Sequence, residues 1–522
     1  MNLPTLRIKP AYPPRHDINR KKSHLPEPPA PTKLYITLRA DMEKEHANMG
    51  EARQNLATQP QKKVWKVEST GIDLVPEAER TGRPLELFWI WCAANIGILG
   101  IVYGAIIVSF GLSFIQSILA AILGVVSFAL VGFTSFAGQI GRTATLTLSR
   151  TIFGVKGNIA PTAFSWFNLM GWEAVNLITG TLTLSALFEA IGLSGSHSLT
   201  AVCLLLFGGL TIAVSILGQN TLVLLQSWIT RIFGTMTLVV VIYILFNTPW
   251  HKVLSLPSGD WLSGFLPAVS VIAAGTGVGW TIAGADYSRY QNPSSGRGRV
   301  FAAVVGGAVL PLVLLMLAGI LLSSQLPELA SSANPIALIG TVLPPWMSVP
   351  YLLTATAGIV TIAVLSLYSA GLNLLTIGVK LRQPVAVALD AVLVVAIAVY
   401  VLFISGDFLT PFISFLIFCG LLLGPWSAMF ILDYLLIRRH YGYDQDALFG
   451  LNGKNRGVRW GPLFCWLLGA ISGLMVTKTG FIDGPLALGI FADSSLGLFV
   501  AFGVSLVAYW LYLLVKPQEK RV

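Results

Sequence analysis

Ser113–Thr134, Val300–Leu322 and Val385–Phe403 are long apolar runs. Each is close to the ~20 residues that a helix needs to cross a ~30 Å hydrocarbon layer. Several such runs cannot all be hidden in one water-soluble core. Of the 522 residues, 54% are hydrophobic and 11% charged, against roughly 25% charged in soluble domains. That is too little charge to coat a core of this size, so the remaining surface faces lipid. A membrane β-barrel would show short alternating strands, and that pattern is absent. The expected fold class is an all-α membrane protein.

The runs predict about twelve transmembrane helices, over 86–111, 113–134, 160–188, 198–218, 222–247, 262–284, 300–323, 350–379, 385–404, 409–437, 460–478 and 488–515, numbered here as spans one to twelve. Alternate connections carry Arg142, Arg150 and Lys156; Arg289, Arg297 and Arg299; Lys380 and Arg382; and Arg438, Arg439, Lys454, Arg456 and Arg459. The opposite connections hold almost no basic residues, with Lys252 and Lys478 as exceptions. This is the positive-inside pattern, and it predicts an even number of spans with both termini in the cytoplasm. Residues 1–84 are expected to be a cytoplasmic, largely disordered tail, rich in Pro and Lys/Arg and without the apolar core of a cleavable signal. Spans one to ten are expected to form one core over 85–437, two further helices with their connecting loop to cover 438–515, and 516–522 to form a cytoplasmic C-terminal tail.

The net charge of +10 follows from this topology and implies no nucleic acid partner. The four cysteines lie in apolar segments without ligand spacing and are expected to be buried free thiols. None of the six histidines falls inside a span. There is no Walker loop, no HExxH motif and no nucleophile–base pair, so ATP-driven pumping and enzymatic catalysis are not expected. Neither is a metal or cofactor. Secondary transport remains.

Two spans contain clustered glycine: Ala93-Ala94-Asn95-Ile96-Gly97-Ile98-Leu99-Gly100 in span one and Ala273-Ala274-Gly275-Thr276-Gly277-Val278-Gly279-Trp280 in span six. Each glycine costs a helix about 1 kcal/mol relative to alanine. Unpaired backbone survives at membrane depth only where protein encloses it. Breaks five spans apart point to an inverted repeat with a site near the midplane; close helix packing is the competing reading. On span three, Trp172 and Asn176 are four residues apart and share a helix face. An indole stacks on a planar ring, and an amide reads its edge as it does with adenine. Trp280, just past Gly279, can supply the opposite face. Trp250, Trp261 and Trp346 are read as interfacial anchors. Span eight carries Ser366, Ser369 and Asn373 as one polar stripe, serving either substrate and ion contact or interhelical hydrogen bonding.

Gly279-Trp280-Thr281 with Gly284-Ala285-Asp286-Tyr287-Ser288-Arg289-Tyr290 resembles the sixth-helix signature of the nucleobase–cation symporters, the cytosine/purine, uracil, allantoin and hydantoin permeases. Leu148-Ser149-Arg150-Thr151-Ile152-Phe153-Gly154, Gly171-Trp172, Leu367-Tyr368-Ser369-Ala370-Gly371, and Asp433-Tyr434 with Arg438-Arg439-His440-Tyr441 agree with it. The resemblance covers about residues 68–445. It implies a five-plus-five inverted repeat (LeuT-like) with two additional C-terminal helices. It also implies a base held between Trp172 and Trp280, with Asn176 on its edge, Ser366 as a span-eight contact and Gly279 beside the ring. Ala93 stands where the fungal cytosine permeases have serine. Asparagine at 176 is similar to the purine–cytosine branch rather than the hydantoin branch.

The expected function is import of a planar nucleobase, cytosine or a purine, by cation symport at the plasma membrane. The alternative is a sodium-coupled hydantoin, allantoin or amino-acid transporter of the same fold. Glu173, Ser366, Ser369 and Asn95 are the candidate ion-coupling residues. Glu173 is a carboxyl group inside a span, a functional candidate by position. It either gains a proton when substrate binds or, since neighbours sit ~100° apart on a helix, turns away to pair with another span. Sodium-coupled members of the fold hold the ion between broken-helix carbonyls and span-eight hydroxyls. Leu365-Ser366 supplies one hydroxyl there, so H+ is favoured over Na+. The expected partners are the small substrate and the lipid bilayer; the oligomeric state is not predicted.

Overall fold

A computed structural model describes residues 70–516, except 216–218, 333–334, 380–382, 406–408 and 493. The expected N-terminal tail up to residue 69, Lys380, Arg382 and the C-terminal tail beyond 516 lie outside the described residues. Among the described residues there is no β-strand, only two isolated bridges. Nine helices among the described residues are long and apolar enough to cross a membrane, and one bent pair makes a tenth. Ile159–Ala190, 32 residues long, and the shorter Trp460–Met475 occupy the expected places of spans three and eleven. The last helix starts at Gly497 instead of 488, because Gly489 and Ser495 adopt left-handed backbone (φ 56° and 47°) that no helix continues through.

Span one is broken. Pro84–Asn95 and Leu99–Ser109 meet at a 59° bend across residues 96–98. Asn95 closes the first half by donating Nδ2 to the Trp91 carbonyl at 2.8 Å. Ile96 N still donates to Cys92 O (2.9 Å), and tight three-residue bonds follow, from Gly100 N to Gly97 O (2.9 Å) and Ile101 N to Ile98 O (3.0 Å). The Ala93 carbonyl faces span eight, where the Thr361 hydroxyl, which donates to Gly358 O at 2.6 Å, lies 3.4 Å away. Backbone freed from the helix is thus met by protein rather than lipid.

Span six departs from the expectation of a second break. It runs as one helix from Trp261 to Ser288, widened to a π turn over Ala274–Val278 and tightened to a 3₁₀ turn over Thr281–Ala283. Close approach explains the glycine there. A Cβ on Gly277 would sit 2.2 Å from the Ser127 carbonyl carbon on the helix pair of span two, Phe114–Val126 and Phe128–Gly141. The Gly277 N–H donates to Ser127 Oγ at 3.1 Å. A neighbour satisfies the loosened ladder, so the helix deforms without unwinding.

Thr70–Arg83 is not loose tail but a strap on the helix ends. Val75 N donates to Arg142 O (2.9 Å), Arg80 Nη2 to Gln139 O (2.6 Å) and Gly82 N to Tyr290 O (2.9 Å). It therefore ties the end of span two to the end of span six.

Spans one and seven (Arg297–Leu322) touch backbone to backbone at Gly104 and Gly319. A Cβ at Gly319 would lie 1.9 Å from Ile101 O, and one at Gly104 2.1 Å from Met316 O. Gly319→Val should push these helices apart and destabilise the fold by at least about 1–3 kcal/mol. Thermal unfolding in detergent is the measurement; a variant melting with the wild type would show that the contact is not tight.

Candidate substrate site

Asn168, Trp172 and Asn176 follow one another at four-residue spacing along Ile159–Ala190, so they line one face of span three. Both asparagines are buried, and Asn168 Oδ1, Asn168 Nδ2 and Asn176 Nδ2 have no hydrogen-bond partner. An unsatisfied buried amide costs roughly 1–3 kcal/mol, so three such atoms on one face mark a place built for a polar guest. The half-buried Trp172 indole is held upright by the edges of Phe412 and Phe415 on span ten, with centroids 5.7 and 6.2 Å away.

Span six meets this face through its backbone. A Cβ on Gly279 would lie 3.7 Å from Trp172 Nε1, so the glycine brings the helix close to the indole. Trp280 follows at once and is buried edge-on against Trp91 (5.6 Å, 89°). Trp91 is itself wedged against Phe128 and Tyr287, so the ring of Trp280 is fixed by an aromatic cluster. Span eight, Pro345–Ile377, packs along span three and adds Ser366, whose buried hydroxyl is also unpartnered. Ala93 is fully buried and offers its carbonyl to Thr361.

Other candidates stand elsewhere. Ser369 is hydrogen-bonded to the Tyr287 hydroxyl (3.0 Å) and Asn373 to Ser165 (2.7 Å), so these two join helices. The Asn95 amide is taken up by the Trp91 carbonyl. The span-eight hydroxyl nearest the break of span one is that of Thr361, while the Ser366 hydroxyl is buried without a partner. Glu173 turns away from the indole. It is buried without a hydrogen-bond partner beside an apolar pocket lined by Leu177, Phe207, Thr211 and Val394, and it faces Asp390 on Gln383–Tyr400 of span nine.

A family described as permease for cytosine/purines, uracil, thiamine and allantoin matches residues 74–511. The chain belongs to this family. It is a multi-pass membrane transporter, not an enzyme. YxlA of Bacillus subtilis (strain 168), a candidate purine–cytosine permease by name, is 29% identical over 480 residues, covering 87% of this chain and 97% of that protein. The purine–cytosine permease FCY2 of Saccharomyces cerevisiae is 29% identical over 265 residues, about half of each chain (48% and 47%). Among solved structures, the nucleobase–cation symporter Mhp1, closed with bromovinylhydantoin bound, has a TM-score of 0.68 at 18% identity, over 87% of this chain and 98% of that one. A Na+-coupled sialic acid symporter in an outward-open state has a TM-score of 0.58 at 11% identity, over 87% and 93%. The two structures share the fold of this permease.

In this permease, the motifs that carried the resemblance mostly hold helix ends together. Asp286 accepts from Thr145 N and Oγ1, each at 2.8 Å. Arg289 donates to the Tyr368 hydroxyl (2.8 Å) and the Gly71 carbonyl (2.5 Å), and Arg150 to Thr376 O (2.7 Å). Asp433 pairs with Arg438 (3.0 Å) in the buried interior and accepts from the Tyr509 hydroxyl (2.9 Å), joining span ten to the last helix. Sequence reasoning did not single out Asn168, Thr361 or Asp390. Asn168 was signalled by its spacing to Trp172, and Asp390 by being the sole acid within an apolar run.

Asp433→Ala removes the carboxylate that pairs with the buried Arg438 and accepts from Tyr509. Removing one member of a buried pair costs about 3–5 kcal/mol, so the variant should unfold at clearly lower temperature in detergent. Wild-type thermal stability would mean that the pair carries no such load.

Proposed function

We propose that this permease imports a planar nucleobase, cytosine or a purine, across the plasma membrane by symport with a proton. The reading includes about twelve spans, a five-plus-five inverted repeat and cytoplasmic termini. The observation that carries it is the meeting of spans three and six. Gly279 draws the span-six backbone to Trp172 and Trp280 is the next residue along span six, while Asn176 keeps an unpaired amide nitrogen on the face of Trp172. Two indoles supply stacking faces, and the orphaned amides supply directional donors and acceptors for a ring edge. The relatives named purine–cytosine permeases support this substrate class. Glu173 is the coupling group, since no salt bridge among the described residues compensates it.

A second reading is a sodium-coupled hydantoin or allantoin transporter. It draws on Thr361, whose hydroxyl meets the Ala93 carbonyl where span one breaks, an oxygen pair suited to a hard cation. The two readings separate in permease-deficient cells. Labelled cytosine uptake competed by adenine or hypoxanthine and indifferent to sodium supports the first; competition by allantoin or hydantoins and loss without sodium supports the second.

Trp172→Ala and Trp280→Ala should each weaken transport affinity by about 10–100-fold while reaching the surface normally, since base–aromatic stacking is worth about 1–3 kcal/mol per base. Asn176→Ala should impair every ring substrate, and Asn176→Gln should shift preference among them. Near-normal kinetics in both tryptophan variants would remove the sandwich from consideration.

Wild-type uptake should rise as external pH falls, collapse with a protonophore and lose its pH response in Glu173→Gln. Uptake that follows sodium and ignores pH in both proteins would overturn proton coupling.

A further inference from the structure

We propose that Glu173 and Asp390 form a two-carboxylate proton site between spans three and nine, separate from the substrate face, with Trp166 positioning Asp390; this rests on the proton-symport reading. Trp166 and Glu173 are seven residues apart, about two helical turns, and so lie on one side of span three. Trp172, one residue before Glu173, points ~100° away toward span six. The Trp166 indole donates Nε1 to Asp390 Oδ1 at 2.9 Å. Asp390 Oδ2 and both oxygens of Glu173 are buried and have no partner. The two carboxyl groups face each other closely enough to hydrogen-bond once one of them carries a proton.

The surroundings leave a proton as the simplest occupant. Span nine presents Asp390 to Glu173, and span six presents the Tyr287 phenol, whose hydroxyl donates to Leu365 O (2.8 Å). Span four, His197–Ser215, contributes Phe207, Gly208 and Thr211 to the pocket beside Glu173, and span eight contributes Ala363 and Leu367. The Thr211 hydroxyl is already given to Phe207 O. Span ten and the short helix Pro335–Val342, which also pack on span three, present no charged group to Glu173. Among the described residues no Lys, Arg or His forms an ion pair with either acid. Two facing carboxylates without a counter-cation cannot both stay ionised in a dry interior, and they titrate as a pair.

Span three is then the lever between the two sites. Trp172 and Asn176 stand on one face, Glu173 and Trp166 on another, so a small rotation on substrate binding changes the distance from Glu173 to Asp390. Loading the base and loading the proton are thereby linked through one helix.

The test uses full-length protein reconstituted in liposomes, comparing wild type, Glu173→Gln, Asp390→Asn, the double variant and Trp166→Phe. Counterflow exchange of labelled cytosine reads substrate binding and translocation without an ion gradient; accumulation driven by an imposed pH gradient reads coupling. Asp390→Asn should keep counterflow and lose pH-driven accumulation, as Glu173→Gln does, with no further loss in the double variant. Trp166→Phe should keep both but shift the pH midpoint of uptake, which a purely structural indole would not do. Should Asp390→Asn still accumulate substrate on a pH gradient while Glu173→Gln does not, the pair is overturned and symport through Glu173 alone stands. Should wild-type liposomes accumulate substrate on a sodium gradient and not on a pH gradient, proton symport itself fails, and the pair with it as a coupling site. If Asp390→Asn fails to fold, Asp390→Glu keeps the question answerable: it should retain pH-driven accumulation with a displaced midpoint, and an unchanged midpoint would overturn the pair.

Discussion

Backbone polarity in a medium without water is the constraint on which this structure depends. Lipid offers no partner to an N–H or C=O, so any departure from the helix must be met by protein. The bend at residues 96–98 is tolerated because span seven closes on Leu99–Ser109 at the Gly104–Gly319 contact and span eight sends Thr361 to the Ala93 carbonyl. Span six faces the same demand and meets it differently. Its ladder widens and tightens within a continuous helix, with Ser127 of span two taking the Gly277 N–H. The irregular backbone of both spans is thereby kept inside the bundle.

Those irregular turns also aim the tryptophans. Trp91 precedes the bend of span one and forms the centre of an aromatic cluster that includes Trp280, Phe128 and Tyr287. Trp280 sits where the π turn passes into the 3₁₀ turn, so its direction is set by backbone geometry that a regular helix would not supply. Trp172 is oriented from the other side by Phe412 and Phe415. Rings braced by rings lose little further freedom on binding, and that preorganisation favours affinity for a flat guest.

The helix ends opposite in character to the apolar spans are held by charge and hydrogen bonds. Asp286 with Thr145, Arg289 with Tyr368 and Gly71, Arg150 with Thr376, and Asp433 with Arg438 each join segments far apart in sequence. Arg289 and the strap Thr70–Arg83 together bind the ends of spans two, six and eight. Residues that make a family recognisable can therefore be the ones that hold its helices, while the substrate face is built from a handful of amides and indoles.

Hydropathy alone determined the class and nearly all the helices, because a helix in lipid must be apolar over its own length and needs no partner to be read. Four-residue spacing likewise placed Trp172 and Asn176 on one face, since helical periodicity is a local property. What lay beyond the sequence was direction between helices. Only packing decided that Gly277 of span six serves close approach to Ser127, that Ser369 and Asn373 are spent on Tyr287 and Ser165, and that Thr361 rather than Ser366 meets span one. The same holds for Glu173: its presence in a span was visible, but its rotation toward Asp390, over 200 residues away, was not. A side chain's partner across a bundle depends on the rotation and tilt of two helices, which tertiary contacts set and no local pattern encodes.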